Sequence, residues 1–177
     1  MSFLVVSDTG PLHYLVLCGT IEVLPRLFDR VIIPAAVQAE LQHANTPAPV
    51  RQWVSSLPSW AEVRRATPCD LGVKMGAGET EAIALALQLK VAAILVDDDK
   101  ARKFAIRKGL AAVGTLAILE KASENRWIDL PAVLTALVQT NIHLHPRLVN
   151  EALTRHAERV RSDRPQVNPV QGPEIKP

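Results

Sequence analysis

Apolar residues follow two alternating rhythms along this chain: short unbroken runs, and longer stretches with a helical repeat. The runs are LVVS at 4–7, VIIP at 31–34, VAAILV at 91–96 and AAVG at 111–114, while WAEVRRA at 60–66 alternates as a half-buried strand does. Between them PLHYLVLC (11–18), IEVLPRLFD (21–29), AAVQAELQHA (35–44) and VRQWVSSL (50–57) space their apolar positions for helices. Pro34 falls near the first turn of the third of these, where its missing N–H is not needed. TPAP (46–49) and the glycine-bearing TPCDLGVKMGAG (67–78) read as loops. ETEAIALALQL (79–89) is apolar almost all round and predicts a buried helix. DDDKARKFAIRKG (97–109) predicts a helix with acids at its start and Gly109 as its C-terminal cap. Further helices are expected over 115–127, 130–140 and 147–161.

Strands alternating with helices through short links predict an α/β fold in three layers, a short parallel sheet flanked by helices. Residues 1–145 are expected to form that domain and 146–161 a C-terminal helix. The segment 162–177 holds four prolines and little apolar periodicity, and is expected to be a disordered tail. No internal repeat is present. In such sheets the working site lies beyond the carboxyl ends of the strands, near a switch in strand order. That rule directs attention to what each strand runs into.

It runs into acids. LVVS is followed by Asp8 and VAAILV by Asp97, Asp98 and Asp99; Glu79 and Glu81 open the buried helix, and Glu40 ends the apolar stripe after VIIP. One of the three consecutive aspartates, Asp98 being best placed, suffices to cap a helix; three exceed what a cap needs. An acid such as Asp8, at the end of an N-terminal core strand, has no evident structural task. Carboxylates gathered at an apolar edge repel one another unless a cation compensates, and an all-oxygen set points to Mg²⁺ or Mn²⁺. Cys18 and Cys69 are isolated, without the spacing of a zinc site, and are expected to be reduced apolar fillers.

Composition narrows the classes further. A chain of 177 residues suits one domain. Twenty Lys and Arg against eighteen Asp and Glu leave a charge of +2, which excludes a polybasic nucleic-acid binder, and seven aromatics are too few for a base-stacking sheet. The charge is unevenly divided, however. With Asp8, Glu40, Glu79, Glu81, Asp97, Asp98 and Asp99 assigned to one region, the other eleven acids stand against twenty bases, a body of net +9. The start lacks a basic segment and its apolar stretch is broken by Asp8, which argues against a secretory signal, and no run approaches a membrane span. A soluble cytoplasmic protein is expected.

As a set, VVSDTGPLHYL (5–15), VIIPAAVQAEL (31–41), GAGETEAIALALQL (76–89), AAILVDDDKARKFA (92–105) and GTLAILEKA (114–122) resemble the PIN-domain ribonucleases. The likeness is strongest to the VapC-like toxins of bacterial toxin–antitoxin pairs. It spans about residues 1–145 and keeps the family's order of elements. It implies a divalent-metal-dependent ribonuclease with its acids in one pocket, using Mg²⁺ or Mn²⁺, acting on RNA, forming a homodimer and restrained by a cognate antitoxin.

Transferred by motif, the catalytic acids are Asp8, Glu40, Glu79 or Glu81, and Asp97 with Asp99. The metal falls to Asp8, Asp97, Asp99 and Glu79. Counting back from Asp99 favours Glu81 as the third acid, while the local Gly-Glu pattern favours Glu79. Thr9, Arg102, Lys74 and Lys100 are candidates for holding substrate, with Lys103, Arg107 and Lys108 further along the same helix. None of His13, His43, His143, His145 or His156 falls in a matching motif; His13, five residues after Asp8, is the one nearest the acids in sequence.

Two enzyme alternatives fail on the residues. Asp8-Thr9-Gly10 resembles the aspartic-protease triplet, but that enzyme is all-β and needs two such loops. A haloacid-dehalogenase-type phosphatase needs an acid at position 10, which is Gly. A non-catalytic PIN-like module that binds RNA or protein is the remaining alternative.

Overall fold

Alternation along three strands divides the core between two layers. A computed structural model describes residues 3–142 and 144–162 of the chain. In β1 (Leu4–Ser7) Val5 points to one face and Val6 to the other; in β2 (Arg30–Pro34) Val31 and Ile33 oppose Ile32. In β4 (Ala93–Leu95) Leu95 joins the first face and Ile94 the second. Both faces are therefore buried, which is why these strands are continuously apolar in sequence.

The first face is covered by α1 (Thr9–Leu17), α3 (Ala35–Leu41), α4 (Ala48–Ser55), α7 (Thr115–Glu124) and α8 (Leu130–Val138). The second is covered by α5 (Ala77–Gln88) and α6 (Asp99–Arg107). With β3 (Ala61–Arg64) and β5 (Ala111–Val113) the sheet has five strands in the order β3-β2-β1-β4-β5, every neighbouring pair parallel. The α/β/α architecture expected from the sequence is the one observed. The chain winds outward through β1, β2 and β3, then returns to place β4 beside β1, pairing Val6 with Ile94 and Ser7 with Leu95. The switch in strand order thus lies between β1 and β4, the point beyond whose carboxyl ends open α/β sheets place their binding crevice.

Several boundaries differ from the periodic reading for local reasons. β4 is shorter than VAAILV because the Val91 amide turns back to the Ala86 carbonyl, closing α5 through Lys90 at positive φ. The single amphipathic stretch at 21–29 splits into a 3-10 turn, Ile21–Val23, and the one-turn α2 (Leu24–Leu27), with Pro25 in that helix's first turn. Cys69 departs from the expected apolar filler and is exposed, whereas Cys18 is half-buried against the core.

The C-terminal helix α9 (Pro146–Ser162) buries Ala152 and lies against α7 and α8. Arg155 and Arg159 pair with Glu120 and Glu124 of α7, and His156 with Ser123. These two arginines are thus engaged within the fold. The helix includes Ser162; the rest of the expected tail, 163–177, lies outside the described residues, as does His143. Among the described residues no helix is long and apolar enough to cross a membrane.

Candidate active site

Asp8 and Asp97 stand at the ends of the two central strands. Asp8 immediately follows β1, and its amide donates to the Leu95 carbonyl at 2.9 Å, tying it to β4. It occupies the N-cap position of α1 but makes no side-chain capping bond. The residue is 5% exposed and its Oδ1 is buried with no hydrogen-bond partner. Burial lifts its carboxyl from an ordinary 3.8 to about 7, partly opposed by a bond from the Thr9 amide and reinforced by the charges of Glu79, Glu40 and Asp97. A buried carboxylate with an orphan oxygen among three other acids lacks a positive partner.

Asp97 lies two residues beyond β4 and is oriented by α7. Its Oδ1 accepts from the Thr115 amide at 2.7 Å and its Oδ2 from the Thr115 hydroxyl at 2.6 Å. Burial raises its carboxyl, while those two bonds and the Arg102 charge pull the other way. Thr115 is itself fully buried at the start of α7. Its neighbour Gly114 makes the approach possible: a Cβ there would stand 2.5 Å from Arg102 Nη2 and 3.1 Å from Asp97 Oδ1.

Glu40 and Glu79 complete the charge cluster around Asp8. Glu40, on α3, accepts from the Thr9 hydroxyl and, through Oε1, from the Gly78 amide at 2.9 Å. Gly78 sits in the first turn of α5, where a Cβ would come within 2.6 Å of Glu40 Oε2. The helix thereby presents an unblocked N–H to a carboxylate, a contact favoured by the helix dipole. Glu79 lies in the same first turn, half-buried, with its carboxylate folded back over Gly76.

The other acids go elsewhere. Glu81 points away from the cluster: Oε2 accepts from the Ala36 amide at 2.6 Å and Oε1 from the Ala66 amide at 3.0 Å, bracing α3 and the end of β3 against α5. Asp98 caps α6 by accepting from the Ala101 amide at 2.8 Å. Asp99 is exposed at the first position of α6. Among the described residues no three His, Cys, Asp or Glu side chains are already assembled at metal-binding geometry.

The basic residues divide similarly. Arg102 donates to the Ala112 and Val96 carbonyls at 2.8 and 3.2 Å, so it links the ends of β4 and β5 beside Asp97. Lys100 Nζ donates to the Lys74 carbonyl at 2.5 Å, and both lysines line an open surface groove with Glu79. Lys103, Arg107 and Lys108 are exposed along α6, the last two lying over the Phe104 ring.

Thr115, Gly78 and Tyr14 are absent from the sequence-based candidates. Tyr14 is half-buried on α1, and its hydroxyl is pushed up by burial and by the Asp97 charge. Thr115 carried a readable signal: a hydroxyl residue at the point where AAVG runs into a helix, the same test that found Asp8 and Asp97. Gly78 and Tyr14 carried none, since each acts through a three-dimensional approach to a carboxylate distant in sequence.

Comparison with known proteins places these features in context. The DUF3368 family model, described as a PIN domain, matches residues 4–158. No curated protein matches the chain. Among solved structures, a PilT N-terminus domain protein from the hyperthermophilic archaeon Sulfolobus solfataricus P2 is similar at 13% identity and a TM-score of 0.45, covering 80% of this chain and 99% of that one.

Proposed function

The chain belongs to the PIN-domain family, and from that premise we propose that it is a divalent-metal-dependent endoribonuclease hydrolysing RNA phosphodiester bonds. The observation that carries this reading is Asp8: buried, raised to about 7, with one oxygen unpartnered and three further carboxylates acting on it or beside it. A cation there would supply the missing partner and return the carboxyl toward its ordinary range. The donors are all hard oxygens, so the set fits Mg²⁺ or Mn²⁺.

Asp8 and Asp97 would hold the ion, with Glu79 and Glu40 as the adjoining acids. When bound, such an ion polarises a phosphoryl oxygen and lowers the pKa of an attached water. The chain's own residues prepare that arrangement. Thr115 fixes both oxygens of Asp97, while Thr9 and the Gly78 amide hold Glu40. Lys74 and Lys100, which line a groove with Glu79, would hold the RNA backbone. Arg102 acts through Asp97 and the strand ends rather than on substrate, Glu81 is a brace, and Asp99 belongs to the rim.

The proposal extends to the toxin component of a bacterial toxin–antitoxin pair, acting in the cytoplasm as a homodimer with a cognate antitoxin. It is tested by titrating Mn²⁺ against wild type and Asp8→Asn while following melting temperature and RNA cleavage. Wild type should be stabilised and cleave in an EDTA-sensitive way, with both effects lost in the variant. No response to millimolar Mn²⁺ in either readout would overturn it.

A further inference from the structure

A second groove meets the acidic cluster on a different side from the lysines, and its chemistry differs from theirs. Its volume is about 540 Å³, and its walls include His13 and Leu17 from α1, Glu40, and the turn carrying His43, Asn45 and Pro47. The lysine groove reaches the cluster through Glu79, whereas this one reaches it through Glu40; both glutamates act on Asp8. No lysine or arginine lines it, and its one formal charge is the Glu40 carboxylate. A phosphate would therefore be repelled there.

What the lining offers is apolar surface, imidazole rings, and amide and hydroxyl groups. That combination suits a nucleobase, which has a flat apolar face and a hydrogen-bonding edge. The volume lies in the range of sites for single small ligands, enough for one base with its ribose. Burial lowers the pKa of His13 and so favours the neutral ring over the imidazolium. His43 Nδ1 accepts from the Asn45 amide at 3.2 Å, which leaves the imidazole proton on Nε2 as a donor.

The turn is also preformed and mechanically tied to the cluster. The His43 amide donates to the Glu40 carbonyl at 3.1 Å, and the Thr46 amide to the His43 carbonyl at 2.9 Å. The Thr46 hydroxyl donates to the Glu40 carbonyl at 3.0 Å. The residue that presents a carboxylate to Asp8 is thus the anchor of the loop that carries His43 and Asn45.

We propose that this groove is a base-reading subsite, which receives the unstacked base of one nucleotide flanking the cleaved bond of a single-stranded RNA. Leu17, Pro47 and the His13 ring provide its apolar surface, and His43 and Asn45 read the edge. The inference rests on the ribonuclease reading and adds to it a determinant of sequence preference. The backbone then lies toward Lys74 and Lys100 while the base turns toward His13 and His43.

The test uses the full chain with Mn²⁺ and a pool of single-stranded RNAs of randomised sequence, the cleavage products being sequenced. Wild type should show a base bias at one nucleotide beside the cut. The double variant His43→Ala, Asn45→Ala should flatten that bias and raise KM about tenfold, as for one lost base contact, with kcat changed less than about twofold. Asn45→Asp, which exchanges a donor for an acceptor, should move the bias toward bases presenting an amino group rather than erase it. Equal bias and KM in all three proteins would overturn the subsite.

If wild type cleaves nothing, the ribonuclease reading fails, and the groove is still read by fluorescence anisotropy of the labelled pool. A roughly tenfold weaker binding by the double variant, at unchanged melting temperature, upholds a base subsite. Unchanged binding overturns it. Unchanged RNA binding with altered self-association would reassign the groove to protein contact and overturn the proposal equally.

Discussion

Replacing Asp8 by asparagine should stabilise the metal-free protein at neutral and higher pH, although the residue is buried. The unfolded chain ionises this carboxyl near 3.8, whereas the folded chain keeps its proton to about 7. Between those values the folded state binds more protons than the unfolded one, so stability falls as pH rises. The full separation of about three pH units corresponds to about 4 kcal/mol, and about 2–3 kcal/mol of that is lost between pH 5 and pH 8. The asparagine side chain is nearly isosteric and carries no charge to desolvate, so the Asp8→Asn variant escapes this loss. The assay is urea unfolding of both proteins in EDTA at the two pH values. Taking the difference between them removes the titrations they share and leaves that of Asp8 together with its coupling to Asp97, whose carboxyl is also raised. The difference should move in favour of the variant by about 2–3 kcal/mol from pH 5 to pH 8. A difference constant within about 0.5 kcal/mol, less than half of one pH unit of linkage, would refute the assignment of Asp8 as a buried, electrostatically frustrated acid.

Further substitutions separate site from scaffold. Thr115→Val removes the hydroxyl that holds Asp97 Oδ2; unfolding should show a loss of about 1–2 kcal/mol, and the pH–rate profile should shift upward as Asp97 protonates more readily. Glu81→Gln leaves one of the Ala36 and Ala66 amides without an acceptor and should cost about 1–3 kcal/mol in unfolding while cleavage by the folded protein persists. Glu79→Gln should do the reverse, sparing stability and lowering cleavage in the same two assays. Arg102→Gln should lower the melting temperature by unlinking the Val96 and Ala112 carbonyls, with little change in KM for RNA; a large KM increase alone would return Arg102 to the substrate-contacting set.

The layered fold was legible because both of its faces are written into β1, β2 and β4 as unbroken apolar runs, and because an acid follows two of them. Asp8 and Asp97 could then be singled out without knowing the strand order, whereas the switch between β1 and β4 is seen only in the sheet itself. The division of labour among the acids was not legible. Asp97, Asp98 and Asp99 are adjacent in sequence but go to three places, set by where α6 begins relative to the end of β4. Glu79 and Glu81 are two residues apart on one helix, hence on different faces, and only the positions of α3 and the end of β3 decide which face meets Asp8. The charge division read from composition also changes: with Glu81 and Asp98 engaged by backbone amides and Asp99 exposed at the start of α6, the acids acting on or beside Asp8 reduce to Glu40, Glu79 and Asp97. Glycine cradles such as Gly78 and Gly114 escape sequence reading altogether, because their reason is a neighbour far along the chain.

The divalent-cation site proposed above has Asp8 and Asp97 at its core. Anomalous scattering from a crystal soaked in millimolar Mn²⁺ tests it most directly. The expected result is a manganese peak bonded to carboxylate oxygens of both Asp8 and Asp97, absent from Asp8→Asn crystals. Manganese bound elsewhere on the chain, with none at these two carboxylates, would contradict it.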